Sequence, residues 1–252
     1  MDQISFVIIT KNEESSLGRC LRSLPKDSET IVLDSESSDR TQQIAESFGA
    51  KFYTRTFTNY SEQKNAAIAL ATKPWIFSID ADEELRPELL NQLEDIIKHP
   101  PVQSSLFRIR RYLIFMGHRM RFGKSSDQPI RFGKKEDMHF NGLVHESLSV
   151  HPDTVVVTLS EGGILHHSYK DLTDYFEKFN QYTSKIAQNN DQNNRKISFL
   201  RVVLRPWTEF FIRYFIRLGF LDGYPGYCYA LISSFYTFVK HAKLLELKHE
   251  NK

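Results

Sequence analysis

The sequence is short of cysteine. Its 252 residues contain two, Cys20 and Cys228, too far apart for any metal or redox spacing, so neither a disulfide framework nor a zinc module is expected and a reducing compartment is the default. It also lacks a charge bias: a formal net charge of +2 gives no electrostatic footprint for nucleic acid, which is excluded as a partner. No uninterrupted apolar run approaches the roughly 18–20 residues that span a bilayer. The N-terminus enters a strand-like run directly, without the basic and apolar regions of a signal peptide, and no internal repeat is visible. A chain of this length, 40% hydrophobic and 25% charged, suits one large globular domain or a domain with an appendage.

The first hundred residues alternate strand and helix patterns. Strands are predicted at 4–10, 30–33, 51–54 and 75–79, with helices at 12–24, 39–48 and 61–71. Pro25 and Gly49 act as stop signals. A βαβαβαβ order demands a mostly parallel sheet with right-handed crossovers. Residues 100–170 read as mixed sheet with irregular loops, and everything from Leu172 onward as helical. The domain boundaries expected are an α/β catalytic domain over 1–170 and a helical region over 171–252.

The most informative segment is Trp75-Ile-Phe-Ser-Ile-Asp-Ala-Asp-Glu83. A buried strand cannot hold two unpaired acids, so Asp80 and Asp82 must sit at its carboxyl end, where open α/β sheets bind ligands. Two acids converging there suit a hard divalent cation that also grips a diphosphate. The same residues could begin a helix, with Asp82 as N-cap and Glu83 and Glu84 in the first turn before Pro87.

Val7-Ile-Ile-Thr-Lys-Asn-Glu-Glu14, Val32-Leu-Asp-Ser-Glu-Ser-Ser-Asp-Arg-Thr41 and Asp80-Ala-Asp-Glu83, in this order and spacing, resemble the inverting glycosyltransferases of family 2. The nearest likeness is to the lipopolysaccharide core β-glucosyltransferase-like branch, through Gln63-Lys-Asn65, Val144-His-Glu146 and Gly219-Phe-Leu-Asp-Gly-Tyr-Pro-Gly226. The resemblance covers nearly the whole chain and implies a GT-A fold: a Rossmann-like α/β domain with a mostly parallel sheet flanked by helices, here followed by a helical appendage.

The resemblance also assigns roles. Thr10, Asn12 and Glu13 leave the first strand's carboxyl end and meet the donor nucleotide, although helix capping would use the same residues. Asp34 contacts base or ribose, with a turn built on Ser35 and Ser37 as the alternative. Lys64 places a cation beside the diphosphate, or is an exposed helix lysine. Asp82 binds Mg²⁺ or Mn²⁺ directly, while Asp80 lies nearer the ribose and the metal's water shell. Glu146 is the candidate general base. His145 is either its orienting partner or the base itself, and a structural His–Glu pair is the competing account. His166 and His167 alternate along a strand, so at most one faces the pocket; GT-A enzymes sometimes complete metal coordination with a late histidine, but these two are read as edge-strand histidines.

Arg108, Arg110 and Arg111 form a basic cluster, with Arg131 in the short strand that follows; this charge suits acceptor phosphates, Arg108, Arg110 and Arg131 being the candidate contacts, or is a solvated strand edge. After Pro206, helical spacing gathers Trp207, Phe210, Phe211, Tyr214, Phe215 and Leu218 on one face, leaving Glu209, Arg213 and Arg217 as a narrow polar strip. A helix this apolar seeks burial, in the catalytic domain, in a homodimer or in a membrane interface; the membrane is ranked first. The implied reaction moves a sugar, UDP-glucose being the first choice of donor, to a lipopolysaccharide core or related lipid-linked or oligosaccharide acceptor, in the cytoplasm at the inner membrane face. Transfer to a polyprenyl phosphate is the runner-up. A sugar-phosphate nucleotidyltransferase would instead show a Gly-rich, Arg-containing loop where this chain has Thr10-Lys-Asn-Glu-Glu14. A non-catalytic nucleotide-sugar-binding protein is the third possibility.

Overall fold

The computed structural model describes residues 1–250 except 102, 104, 124, 143–146, 151–153 and 170. Two compact units emerge, one of Met1–Arg111 with Asp127–His167 and one of Tyr112–Ser126 with Ser168–Lys252.

The first unit opens with β1 (Ile4–Thr10), α1 (Leu17–Arg22), β2 (Glu29–Asp34), α2 (Thr41–Ser47), β3 (Lys51–Thr54), α3 (Tyr60–Leu70) and β4 (Trp75–Ser78). Then come β5 (Glu83–Leu85), α4 (Pro87–Lys98) and β6 (Ser105–Phe115). The strands β1, β2, β3 and β4 pair in parallel in the order β3-β2-β1-β4. Alternation along β1 splits its side chains between two cores: Ile4, Phe6 and Ile8 join Leu17, Cys20 and Leu89 on one face, while Val7 joins Ala67, Ile68 and Ile76 on the other. Parallel strands covered on both faces read as continuous apolar runs, which is why 4–10 and 75–79 are legible from the sequence.

Past β4 the sheet is mixed, as expected for 100–170. After β7 (His118–Arg119) and β8 (Ser126–Asp127) comes β9 (Ile130–Lys134), which lies antiparallel between β4 and β6. An aromatic stack fastens this junction: Trp75 on Phe132 at 5.0 Å between ring centroids, and Phe107 on Phe132 at 5.3 Å. The small ladder of β10 (Phe140–Asn141) and β11 (Ser147–Leu148) precedes β12 (Val155–His166), which pairs antiparallel with β5. Gly162 has φ +68°, and a Cβ there would stand 2.4 Å from the Leu89 nitrogen, so only glycine lets β12 approach α4 this closely.

Two expectations need correction here. Glu83 and Glu84 do not begin a helix. They are extended because β12 supplies an edge to pair with (His166 opposite Glu83, Leu165 opposite Glu84), and the helix starts only at Pro87. The helix expected over 12–24 is confined to Leu17–Arg22, because the preceding backbone is spent on the 35–41 turn. The Asn12 N–H donates to Ser37 Oγ, the Glu13 N–H to Thr41 Oγ1 and the Glu14 N–H to Asp39.

The second unit consists of a hairpin and three helices. Phe115 pairs with His118 across Met116 and Gly117, both at positive φ. The helices are α5 (Leu172–Gln192), capped by the Asp171 carboxylate, α6 (Phe199–Phe211), capped by Ser198, and α7 (Gly223–Glu250). Leu113, Phe115, Met120, Tyr175 and Phe179 form its core. The buried Asp222 carboxylate accepts from the Arg121 and Phe122 N–H groups, tying the hairpin to the start of α7. Helix α5 runs on through the polar residues 189–192 to end at Gln192. Nor does α6 wait for Pro206. It starts at Phe199 and passes through the proline, because Val202 and Pro206 share its buried stripe, and Ser234 Oγ donates to the Pro206 carbonyl at 2.8 Å. A π-helical turn over Ile212–Ile216 follows. Among the described residues, no helix is long and apolar enough to cross a membrane.

Candidate active site

The carboxyl ends of the parallel strands bring Thr10, Asp34, Asp80 and Asp82 to one edge of the first unit. Thr10 and Asp34 are register partners on β1 and β2, and Thr10 Oγ1 donates to Asp34 Oδ1 at 2.7 Å. Asp34 also accepts from the Ser37 N–H and hydroxyl, both at 2.6 Å. This fixes the carboxylate at the mouth of the turn. Asn12 stands in left-handed conformation (φ 55°), its amide oxygen accepting from the Ser38 N–H, and Lys11 reaches the Ser35 carbonyl at 2.7 Å. Glu13 is half-buried beside this turn.

Asp80 sits among cations. Arg131 grips one carboxylate oxygen, Lys64 Nζ lies 3.2 Å from the other, and Arg111 stands at 3.8 Å. Beneath it Glu83, fully buried, accepts from the Asp80 N–H at 3.0 Å, from Arg131 at 2.7 Å and from Arg111 at 2.9 Å. Arg111 in turn holds Asp127 at 2.7 Å. Three cations face three carboxylates, so the buried Lys64, Arg131 and Glu83 are compensated at tolerable cost. Burial by itself would push the Asp80 carboxyl up, but Arg131, then Lys64 and Arg111, hold it well below the usual carboxylate range. Helix α3 links the two ends of the site: Gln63 Nε2 donates to Ser35 Oγ at 3.2 Å while Lys64 reaches Asp80.

Asp82 faces another way. Its Oδ2 lies 3.2 Å from His166 Nε2, and both side chains are partly exposed, at 27% and 22%. His167 pairs with Glu84 at 3.2 Å; burial first, then Arg19, pushes its imidazole below the ordinary value. Among the described residues no group of three or more His, Cys, Asp or Glu could hold a metal by itself. An accessible carboxylate and imidazole do fit a divalent cation that takes its remaining ligands from diphosphate oxygens and water.

Of the residues singled out by sequence, Thr10, Asn12, Glu13, Asp34, Lys64, Asp80 and Asp82 thus share one edge. Lys64 is buried rather than an exposed helix lysine. Arg131 is also buried, with its guanidinium on Asp80 and Glu83, whereas Arg108 and Arg110 are exposed. His145 and Glu146 lie outside the described residues. Sequence reasoning missed three members. Glu83 was hidden by its helix-like context, Arg111 by pattern reasoning that grouped it with its neighbours, and His166 by lying 84 residues from Asp82 in the chain. The antiparallel pairing of β5 with β12 is what brings His166 there, and strand alternation alone could not have found it.

The profile described as Glycosyl transferase family 2 matches residues 5–147. The chain is 31% identical to an uncharacterized glycosyltransferase of Rickettsia typhi over 98% of its own length and 88% of the relative's. It is 28% identical to the lipopolysaccharide core biosynthesis glycosyltransferase LpsC of Rhizobium meliloti, over 96% of this chain and 92% of that one. Among solved structures, residues 1–349 of S. aureus TarS align with 99% of this chain and 92% of that chain at a TM-score of 0.47 and 15% identity, a likeness too distant to argue from. The profile and the Rickettsia relative agree with the motifs and with the parallel α/β architecture: the chain belongs to glycosyltransferase family 2.

Proposed function

We propose that this protein transfers a hexose, glucose in the first instance, with inversion from a UDP-type nucleotide donor to a lipopolysaccharide core or related bacterial glycolipid. The observation that carries the reading is the convergence of Asp34, Lys64, Asp80 and Asp82 on one sheet edge, with Asp82 set against His166. Likeness to LpsC over nearly the whole chain supports the acceptor class.

In this reading Thr10 and the turn at Ser37 hold the Asp34 carboxylate toward the nucleoside, where it accepts O–H or N–H bonds. Lys64 and Arg131 keep Asp80 ionised and fixed beside the ribose. Asp82 and His166 would hold Mg²⁺ or Mn²⁺, which supplies charge neutralisation on the diphosphate leaving group. Glu146 takes the proton from the acceptor hydroxyl as that oxygen bonds to the anomeric carbon and the bond to the nucleoside diphosphate breaks. His145 orients it. Arg108 and Arg110, exposed on β6, are available to anionic groups of the acceptor.

A peripheral membrane contact is part of the proposal. Phe199, Trp207, Leu200 and Ile216 are 64–73% exposed. Lys196, Arg201 and Arg217 are exposed around them. Apolar side chains with a basic rim suit an anionic lipid surface better than a second copy carrying the same charges. This would place the chain at the inner face of the cytoplasmic membrane.

A calorimetric panel of nucleotide sugars, with and without Mn²⁺, tests the donor assignment. UDP-glucose should bind, and Mn²⁺ should strengthen it. Absence of binding by every nucleotide sugar in Mn²⁺ would overturn the reading.

A further inference from the structure

The helical unit holds a cavity of about 440 Å³ between α5, α6 and α7, a volume in the range of small-ligand sites. Its walls are unusual for a helix-bundle interior, being dominated by tyrosines and cations. Two of its four charged groups pair with each other. Glu209 is held by Arg213 at 2.7 Å, and Arg213 also donates to the Gly123 carbonyl and lies 5.4 Å from the Tyr229 ring centroid. That pair cancels. Arg205 and Lys240 also line the cavity, and neither has a carboxylate within ion-pair distance among the described residues. The Lys240 ammonium lies 5.6 Å from the Tyr236 ring centroid. Burial first, and then, against the pull of Glu209, the neighbouring Arg205, Arg195 and Arg213, push its pKa below the ordinary value. Two positive groups therefore share a tyrosine-walled cavity without a counter-charge.

Two kinds of recognition meet here. A guanidinium and an ammonium suit a phosphate or carboxylate. Tyrosine offers a flat apolar face with a hydroxyl edge, which matches a sugar ring, whose C–H groups make an apolar face bordered by hydroxyls. The buried hydroxyl residues Ser233 and Thr237 add further polar wall. We propose that this cavity binds an anionic saccharide, the ring among the tyrosines and its phosphate or carboxylate between Arg205 and Lys240. All of its lining residues belong to the helical unit. The site is therefore separate from the donor edge and does not depend on how that edge is read.

The test is titration of the full chain with glucose 6-phosphate, glucuronate, glucose and inorganic phosphate, by calorimetry and saturation-transfer NMR. UDP and Mn²⁺ are present throughout to compete at the donor edge. Both anionic sugars should bind more tightly than either glucose or phosphate. Arg205→Ala and Lys240→Ala should each weaken them about tenfold, the usual worth of one charged hydrogen bond, with UDP affinity and thermal midpoint unchanged. Lys240→Gln replaces Lys240→Ala should the latter unfold. Phosphate binding as tightly as glucose 6-phosphate, no sugar binding at all, or undiminished affinity in both variants would each overturn the proposal. Failure of UDP to bind the wild type would count against the donor reading alone, since the sugar titration is read independently.

Discussion

His166 Nε2 lies 3.2 Å from Asp82 Oδ2, although the two residues are 84 positions apart in the chain. The contact exists because β12 runs back along β5, setting His166 opposite Glu83. It pairs the second acid of the Asp-Ala-Asp segment with an imidazole, while the first acid is taken by cations. The two carboxylates therefore have different electrostatic environments, and different work is expected of them.

Asp82→Ala should abolish Mn²⁺-enhanced binding of UDP, and His166→Ala should weaken it by one to two orders of magnitude, in keeping with loss of one ligand or its support. Both variants should fold, because both side chains are partly exposed. Calorimetry with and without Mn²⁺ decides it; unchanged metal dependence in Asp82→Ala would remove this pair from the metal site.

Glu146→Gln should bind donor with near-normal affinity and lose sugar transfer by roughly 10²–10⁴-fold, the usual contribution of a positioned base. Normal turnover in that variant with a dead His145→Ala would make His145 the base. Full activity in both would make the segment structural.

Arg131→Ala should be severely destabilising, by about 3–5 kcal/mol, because it strands the buried Glu83 and leaves the half-buried Asp80 beside it with too little positive charge. Urea unfolding measures this directly. Arg108→Ala, at an exposed position, should stay within about 0.5 kcal/mol of the wild type.

Glu29 gives a pH signature. Burial opposes its charge, but Lys51 at 2.6 Å, Ser5 and the Thr72 N–H and hydroxyl hold its carboxyl down at about 2. A depressed acid stabilises the fold above its unfolded pKa, and that stability disappears as pH falls from about 4.5 toward 2. After allowing for screening at the exposed Lys51, the loss is about 1–2 kcal/mol. Glu29→Gln should flatten this part of the stability–pH curve; an unchanged curve would rule Glu29 out as its source.

The exposed face of α6 should carry the chain to anionic liposomes, with only partial release by high salt, since inserted aromatics are not screened. Trp207→Ala should reduce the sedimented fraction severalfold. No liposome binding together with a stable dimer in solution would assign the face to self-association instead.

The sequence alone determined the parallel half of the sheet. The runs at 4–10 and 75–79 are buried on both faces, so each is continuously apolar and ends where its polar residues begin. It also determined that Asp34, Asp80 and Asp82 stand at strand ends, because acids cannot occupy a strand's interior unpaired, and it fixed the family through the spacing of three motifs. What it left open depended on contacts between distant segments. Glu83 and Glu84 carry the local marks of a helix start, yet pairing with β12 makes them extended. Pro206 reads as a boundary, yet its place on the buried stripe with Val202 carries the helix through it. Arg111 and Arg131 look alike on paper as surface charge, and only the carboxylates gathered from β5 and the end of β4 make them partners of Asp80, Arg131 buried and Arg111 half-buried. Local pattern governs backbone propensity and burial, but the partner of a charge is chosen by the fold.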